Sequence, residues 1–157
     1  MNYIGLSTCD TANGPGVRVS LFVSGCRLKC PGCFNPESWA FDAGKPYTAK
    51  VEERILKALE DPYIEGLSLL GGDPLEPENE PELTKLVEAV RAKFGDKKTV
   101  WVWTGRRYEK VSESPLLKLA DVVVDGPFVQ FKKVMEKGCW YGSTNQRVIP
   151  LKPGKVD

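Results

Sequence analysis

The stretch Val17-Arg-Val-Ser-Leu-Phe-Val23-Ser-Gly-Cys26-Arg-Leu-Lys-Cys30-Pro-Gly-Cys33 decides how the rest of this chain is read. Residues 17–23 partly alternate and are rich in β-branched side chains, the pattern of a strand. Ser24-Gly25 ends that strand, so the three clustered cysteines sit on the loop that follows it. Three thiolates are one short of the four protein ligands that a structural zinc or an inert iron-sulfur cluster normally has. Soft thiolates favour zinc, copper(I) or iron-sulfur centres, and two readings follow. One is a zinc-binding interaction module completed by Cys9, Cys139 or a carboxylate. The other is a cubane [4Fe-4S] cluster with three irons on Cys26, Cys30 and Cys33, the fourth iron being open to a substrate. Zinc is disfavoured because each candidate fourth ligand is distant in sequence and zinc knuckles usually pair two short Cys-x-x-Cys units.

Working outward, Val51, Ile55 and Leu59 form an i, i+4, i+8 stripe that predicts an amphipathic helix from Thr48 to about Glu60, stopped by Asp61-Pro62. Residues 66–70 read as a short apolar strand running into Gly71-Gly72-Asp73-Pro74. A second helix carries Leu83, Leu86, Val87, Val90 and Phe94 on one face, with Asn79 and Glu82 spaced as its cap. Residues 99–104 predict a third strand, 114–119 a weaker helix and 122–124 a fourth strand. Strands alternating with helices imply a mainly parallel sheet whose ligands bind at the carboxyl ends of the strands. At 157 residues the chain is one domain, 1–157, shorter than the roughly 250 residues of a complete eight-stranded α/β barrel. Any barrel here is partial.

Composition removes several function classes. With 22 Lys and Arg against 21 Asp and Glu, and no basic patch, nucleic-acid binding gets little support. The absence of histidine removes His-based triads, His zinc ligands and the usual imidazole acid or base. Five cysteines, three clustered and two apart, fit a reducing compartment better than a disulfide framework. With no signal-peptide pattern and no long apolar run, the expectation is a cytoplasmic protein that does not engage membranes.

The remaining motifs are individually weak. A Gly-Gly turn after a strand is often only a turn, but Gly71-Gly72 and the cysteine loop converge on one end of the sheet, where glycines permit close backbone approach to a ligand. Asn13-Gly14-Pro15-Gly16 reads as a turn that starts the first strand. Trp101 and Trp103 share a strand face; Trp101 is expected in the core, while Trp103 and Thr104, nearer the strand end, are placed to line a pocket. Cys9 and Cys139 read as small buried residues. Arg147 reads equally as a surface residue or a substrate contact.

Cys26-x-x-x-Cys30-x-x-Cys33 after one strand, with Gly71-Gly72-Asp73-Pro74 after the next, resembles the radical S-adenosylmethionine superfamily. Within it, Asn13-Gly14-Pro15-Gly16-x-Arg18, Cys30-Pro31-Gly32-Cys33-Phe34-Asn35, Trp101-Val102-Trp103-Thr104-Gly105, Val124-Asp125-Gly126 and Gly142-Ser143-x-Asn145-Gln146-Arg147 resemble the activators of anaerobic ribonucleotide reductase. The likeness covers nearly the whole chain. Gly32 departs from the aromatic common in the superfamily but is typical of the reductase activators, and Phe34 stands where this branch often has Tyr or His. Activators of pyruvate formate-lyase are also similar around the cluster, but are longer.

The resemblance implies a partial TIM-like barrel with helical crossovers. It implies a [4Fe-4S] cluster on Cys26, Cys30 and Cys33 whose unique iron chelates S-adenosyl-L-methionine. Cofactor contacts would come from Gly32, Cys33, Phe34, Gly71, Gly72, Asp73, Trp103 and Thr104. Reductive cleavage of the sulfonium would give a 5′-deoxyadenosyl radical that takes a hydrogen from a glycine of the anaerobic ribonucleoside-triphosphate reductase. Asn13, Asp125 and Arg147 would touch the partner's glycine loop, and a low-potential donor such as flavodoxin would reduce the cluster. A radical enzyme acting on a small molecule, such as the one making a carboxy-deazaguanine precursor, shares the short length but not the Trp101 to Gly105 and Gly142 to Arg147 motifs.

Overall fold

The structure, a computed structural model, describes residues 1–33, 36–134 and 139–152. In it the strands β1 (Asn2–Asp10), β2 (Val17–Val23), β3 (Lys45–Pro46), β4 (Ile64–Gly71), β5 (Thr99–Trp103), β6 (Val122–Asp125) and β7 (Arg147–Pro150) form one sheet in the order β3-β1-β2-β4-β5-β6-β7. The helices are α1 (Ala49–Leu59), α2 (Glu80–Phe94), α3 (Tyr108–Val111) and α4 (Pro115–Leu119). The expected alternation holds in the centre, where β2, β4, β5 and β6 pair in parallel. The flanks differ from expectation: β1, β3 and β7 pair antiparallel and extend the sheet on both sides.

Period-two alternation separates the two faces of the central strands. Val19, Leu21, Leu67, Leu69, Val100, Val102 and Val123 point to one face and pack against Ile55 and Leu59 of α1, Leu83, Leu86, Val87 and Val90 of α2, and Leu116 and Leu117 of α4. With helices on this face and the second cluster on the other, residues 66–69 of β4 are buried, which suits a mostly apolar stretch interrupted by Ser68. The opposite face holds a second cluster of Trp101, Val122 and Val124, bordered by Trp103, Trp140, Tyr141 and Val148. Trp101 is fully buried there, as its position in the strand predicts.

Arg18 enters that second face as a fully buried cation. Its guanidinium donates to Ser68 Oγ, Thr99 Oγ1 and the carbonyls of Pro15, Leu67 and Thr99, at 2.8 to 3.3 Å. These bonds replace the water lost on burial and bind β2, β4 and β5 across their amino-terminal halves. The Gly14-Pro15-Gly16-x-Arg18 motif is therefore structural here, since a Cβ at Gly14 would lie 2.8 Å from Arg18 Cδ.

Cys9, expected in the interior, is exposed. It falls where the β1–β2 register breaks between Ser7 and Asp10, and an irregular pairing turns side chains away from the face that alternation would give. No helix among the described residues is long and apolar enough to cross a membrane.

Candidate functional site

The carboxyl ends of the four parallel strands open on one cavity of about 380 Å³. The loop after β2 contributes Cys26, Leu28, Cys30 and Cys33; β4 and its loop contribute Gly71, Gly72 and Asp73; β5 and its loop contribute Trp103, Thr104 and Gly105. Residues distant in sequence complete the wall, among them Asn13, Phe128, Cys139, Trp140 and Gln146. This is the end at which parallel α/β sheets bind ligands, because loops of successive strands meet there around exposed backbone groups.

The spacing of the second and third cysteines has a local cause. Cys33 N donates to Cys30 O at 3.1 Å across Pro31 and Gly32, and Gly32 has φ +74°. Proline second and a positive-φ glycine third are the signature of a type II turn, which holds the two thiols on one bend. Lys29 has φ +47°, an uncommon value for a residue with a side chain, and it bends the segment between Cys26 and Cys30. Gly32 is not among the cavity-lining residues, and Phe34, expected as a cofactor contact, lies outside the described residues.

Gly71 and Gly72 serve the joining of two loops. A Cβ at Gly71, where φ is +109°, would come within 2.6 Å of Val23 backbone atoms, and one at Gly72 would lie 2.5 Å from Gly25 O. Without side chains, Gly72 N donates to Val23 O at 2.7 Å and Asp73 N to Gly25 O at 2.9 Å. The close approach expected of these glycines is thus to the root of the cysteine loop, and it sets both loops beside the cavity.

Asp73 is fully buried and anchors the arrangement. Its carboxylate accepts from Leu75 N at 2.9 Å, Gly105 N at 3.0 Å and Thr104 Oγ1 at 3.0 Å, and Arg106 Nη1 stands 2.9 Å away. Burial pushes this carboxyl up from its ordinary value, while Arg106 and the amide donors pull it down. Asn79 differs from expectation: its side chain makes no helix cap and donates from Nδ2 to Ser24 O and Asp73 O, both at 3.0 Å. Residues 24 and 73 stand at the roots of the two loops, so one buried amide ties them together.

The five cysteines are free, and burial pushes the Cys26 thiol up, with Asp73 and Glu76 adding to the effect and the amides of Leu28 and Lys29 opposing it. Cys139, expected as an ordinary small residue, lines the same cavity as the three loop cysteines. Among the described residues no three Cys, Asp or Glu side chains converge on a point that would hold a single metal ion. A cubane makes no such demand, since each thiolate meets its own iron. Soft donors on a bent loop, facing a cavity walled by backbone and aromatic groups, are a donor set that fits an iron-sulfur cluster.

The three expected partner contacts separate. Asn13 lines the cavity, its Nδ2 donating to Asp10 Oδ2 at 2.7 Å. Asp125 and Arg147 are not among the lining residues and instead bond each other. The Gly142 to Arg147 motif is also largely self-contained. Gln146 Oε1 accepts from Gly142 N at 2.7 Å and Ser143 N at 3.1 Å, while its Nε2 donates to Gly126 O at 2.8 Å. Trp103 lines the cavity and donates from Nε1 to Trp140 O at 2.6 Å. Glu76 and Arg106 carry no local pattern that sets them apart from surface polar residues, Asn79 carries only that of a helix cap, and Gln146 stands in the Gly142 to Arg147 motif without a role of its own.

Residues 12–149 match the family model described as a 4Fe-4S single cluster domain. A protein of Enterobacteria phage T4 named anaerobic ribonucleoside-triphosphate reductase-activating protein is 43% identical over 94% of this chain and 93% of its own length. A protein of the same name from Escherichia coli K12 is 43% identical over 97% of this chain and all of its own length, and one from Vibrio cholerae is 42% identical over 93% and 96%. This chain belongs to the anaerobic ribonucleotide reductase activator family. The reductase activator motifs noted above thus map partly to the cavity and partly to the structure around it.

Proposed function

We propose that this activator uses a [4Fe-4S] cluster and S-adenosyl-L-methionine to install a glycyl radical on an anaerobic ribonucleoside-triphosphate reductase. One observation carries the reading: Cys26, Cys30 and Cys33 open on the same cavity as Gly71, Gly72 and Asp73, at the carboxyl ends of parallel strands. When bound, the two cofactors supply a low-potential electron and a 5′-deoxyadenosyl radical, at the low end of the roughly −700 to +450 mV span of iron-sulfur centres.

The chain's own residues would hold and enclose that chemistry. Cys26, Cys30 and Cys33 would hold the cluster through three of its irons, and the fourth would be open to the amino and carboxylate groups of S-adenosyl-L-methionine. The backbone of Cys33, Gly71 and Gly72 borders the space for the rest of that molecule, and Trp103 and Thr104 wall it from water. Thr104 and Asp73 act as positioning groups, since their polar atoms bond each other. We read the sheet as an incomplete barrel, with a flank left open for a glycine loop of a large partner. Asn13, which lines the cavity, is placed to meet that loop, and a flavodoxin-type donor fits the electron requirement. No side-chain base is needed for hydrogen abstraction from a glycine, which suits a chain without histidine.

The test is anaerobic reconstitution, then mixing with S-adenosyl-L-methionine, reductant and the reductase, followed by electron paramagnetic resonance. The expected result is four irons per chain and a glycyl doublet on the reductase. A doublet only with pyruvate formate-lyase would move the assignment to that activator. A colourless protein containing stoichiometric zinc would overturn the cluster reading.

A further inference from the structure

Glu76 stands on the turn between the Gly71-Gly72-Asp73 loop and α2, and it is fully buried although no expected function uses it. Its Oε2 accepts from the backbone N–H of Arg27 at 2.7 Å. Its Oε1 accepts from Arg27 Nη1 at 2.8 Å and from Arg106 Nη2 at 2.9 Å. Arg27 is the residue directly after Cys26, and Arg106 also faces Asp73. One carboxylate therefore joins the loops after β2, β4 and β5, which supply the three sides of the cavity. Glu78 continues the network, accepting from Arg27 Nη1 and Nη2 at 2.8 and 2.7 Å.

We infer that Glu76 is a positioning residue for the cluster loop, fixing the backbone beside Cys26 through the Arg27 amide and holding a buried negative charge next to the cluster. The inference rests on the proposed cluster reading for its electrostatic half alone. The Arg27 side chain is 56% exposed, so its ion pairs are screened and add little. The amide bond to a buried carboxylate is the strong element, because a charged acceptor roughly doubles a hydrogen bond and burial leaves no water to replace it. A buried negative charge also opposes addition of an electron nearby, so Glu76 holds the potential of the cluster low. That is the direction the proposed reaction requires.

Glu76→Gln and Glu76→Ala separate the two effects. Glutamine keeps an acceptor for the Arg27 amide and removes the charge; alanine removes both. With the reconstituted chain, potentiometric titration is expected to show the midpoint moving upward in both variants. Iron release to a chelator is expected to stay near the parental rate in Glu76→Gln and to rise on the order of tenfold in Glu76→Ala, the equivalent of one charge-assisted hydrogen bond. In the chain without cluster, amide exchange at Arg27 is expected to accelerate in Glu76→Ala, a readout independent of any cofactor. Unchanged potential in both variants would overturn the electrostatic role, and unchanged Arg27 exchange would overturn the positioning role. Failure of the parental chain to bind iron would overturn the cluster reading and with it the electrostatic role, while the exchange result still decides the clamp.

Discussion

The Thr104 hydroxyl is shared between both carboxylate oxygens of Asp73, at 3.0 and 3.1 Å, and so ties the loop after β4 to the end of β5. Removing the hydroxyl alone leaves Asp73 its amide donors and Arg106, so Thr104→Val is expected to cost about 1–2 kcal/mol. Asp73→Ala takes from Arg106 one of its two buried carboxylate partners, leaving Glu76, and leaves three donors unmatched, so about 3 kcal/mol or more is expected. Denaturant midpoints of the two variants check the order. Equal, small losses would show that the pair is not anchoring the loops.

Gly66 and Arg18 make a second constraint, at the far end of the sheet from the cavity. A Cβ at Gly66 would collide with the Thr99 carbonyl oxygen and lie 2.8 Å from Arg18 Nη2. Neither the backbone of a central strand nor a guanidinium held by several acceptors moves aside cheaply. Gly66→Ala is expected to destabilise by about 3 kcal/mol or more. Thermal unfolding within about 1 kcal/mol of the parent would mean that β4 and β5 shift apart freely.

Asn79 shows where sequence reading stops. The helix itself was legible from Leu83, Leu86, Val87 and Val90, but an Asn before such a stripe reads as a cap, and only tertiary packing turns its amide toward Ser24 and Asp73. Because Nδ2 is a donor to two carbonyls, Asn79→Asp sets acceptors against acceptors. It is expected to be more harmful than Asn79→Ala, itself about 2–3 kcal/mol. Denaturation at neutral pH checks the ranking, and an aspartate milder than alanine would refute it.

The central strands and their helices were readable because each combines an apolar period with a Gly or Pro stop. β1 and β7 were not: all residues of both are partly or fully exposed, so neither carries the apolar contrast that marks a strand. The cysteine loop and Gly71-Gly72 announced one end of the cavity. Its far wall was less plain: Cys139 and Trp140 arrive there only through the folding of a loop after β6, and Gln146 stood out only through the resemblance of its motif.

Cys139 supplies the sharpest test of the ligand set. If three thiols hold the cluster, Cys139→Ala retains the full iron content after anaerobic reconstitution, while Cys26→Ala, Cys30→Ala and Cys33→Ala each lose most of it. Iron and sulfide analysis of the four variants checks this. Loss of metal in Cys139→Ala equal to that of the loop cysteines would make it a fourth ligand and favour the closed site.

Arg147 was open between surface and substrate contact, and its pairing explains a pH dependence. It bonds Glu109 through two hydrogen bonds of 2.8 Å and reaches buried Asp125, whose Oδ2 also accepts from Tyr108 N at 2.8 Å. The hydrogen bonds from Arg147 bring Glu109 down from 4.5 to about 2. A carboxylate with a depressed folded-state value contributes stability above its unfolded value and loses it as pH falls through the folded one. The link between α3 and β7 should therefore weaken between the ordinary carboxylate range and about pH 2. Both partners are largely solvent-exposed, so the effect is small and screened by salt. Glu109→Gln is expected to unfold slightly earlier than the parent at neutral pH and low salt, with the difference closing in acid and in high salt. A difference that persists in acid would place the contribution of Glu109 in packing instead of charge.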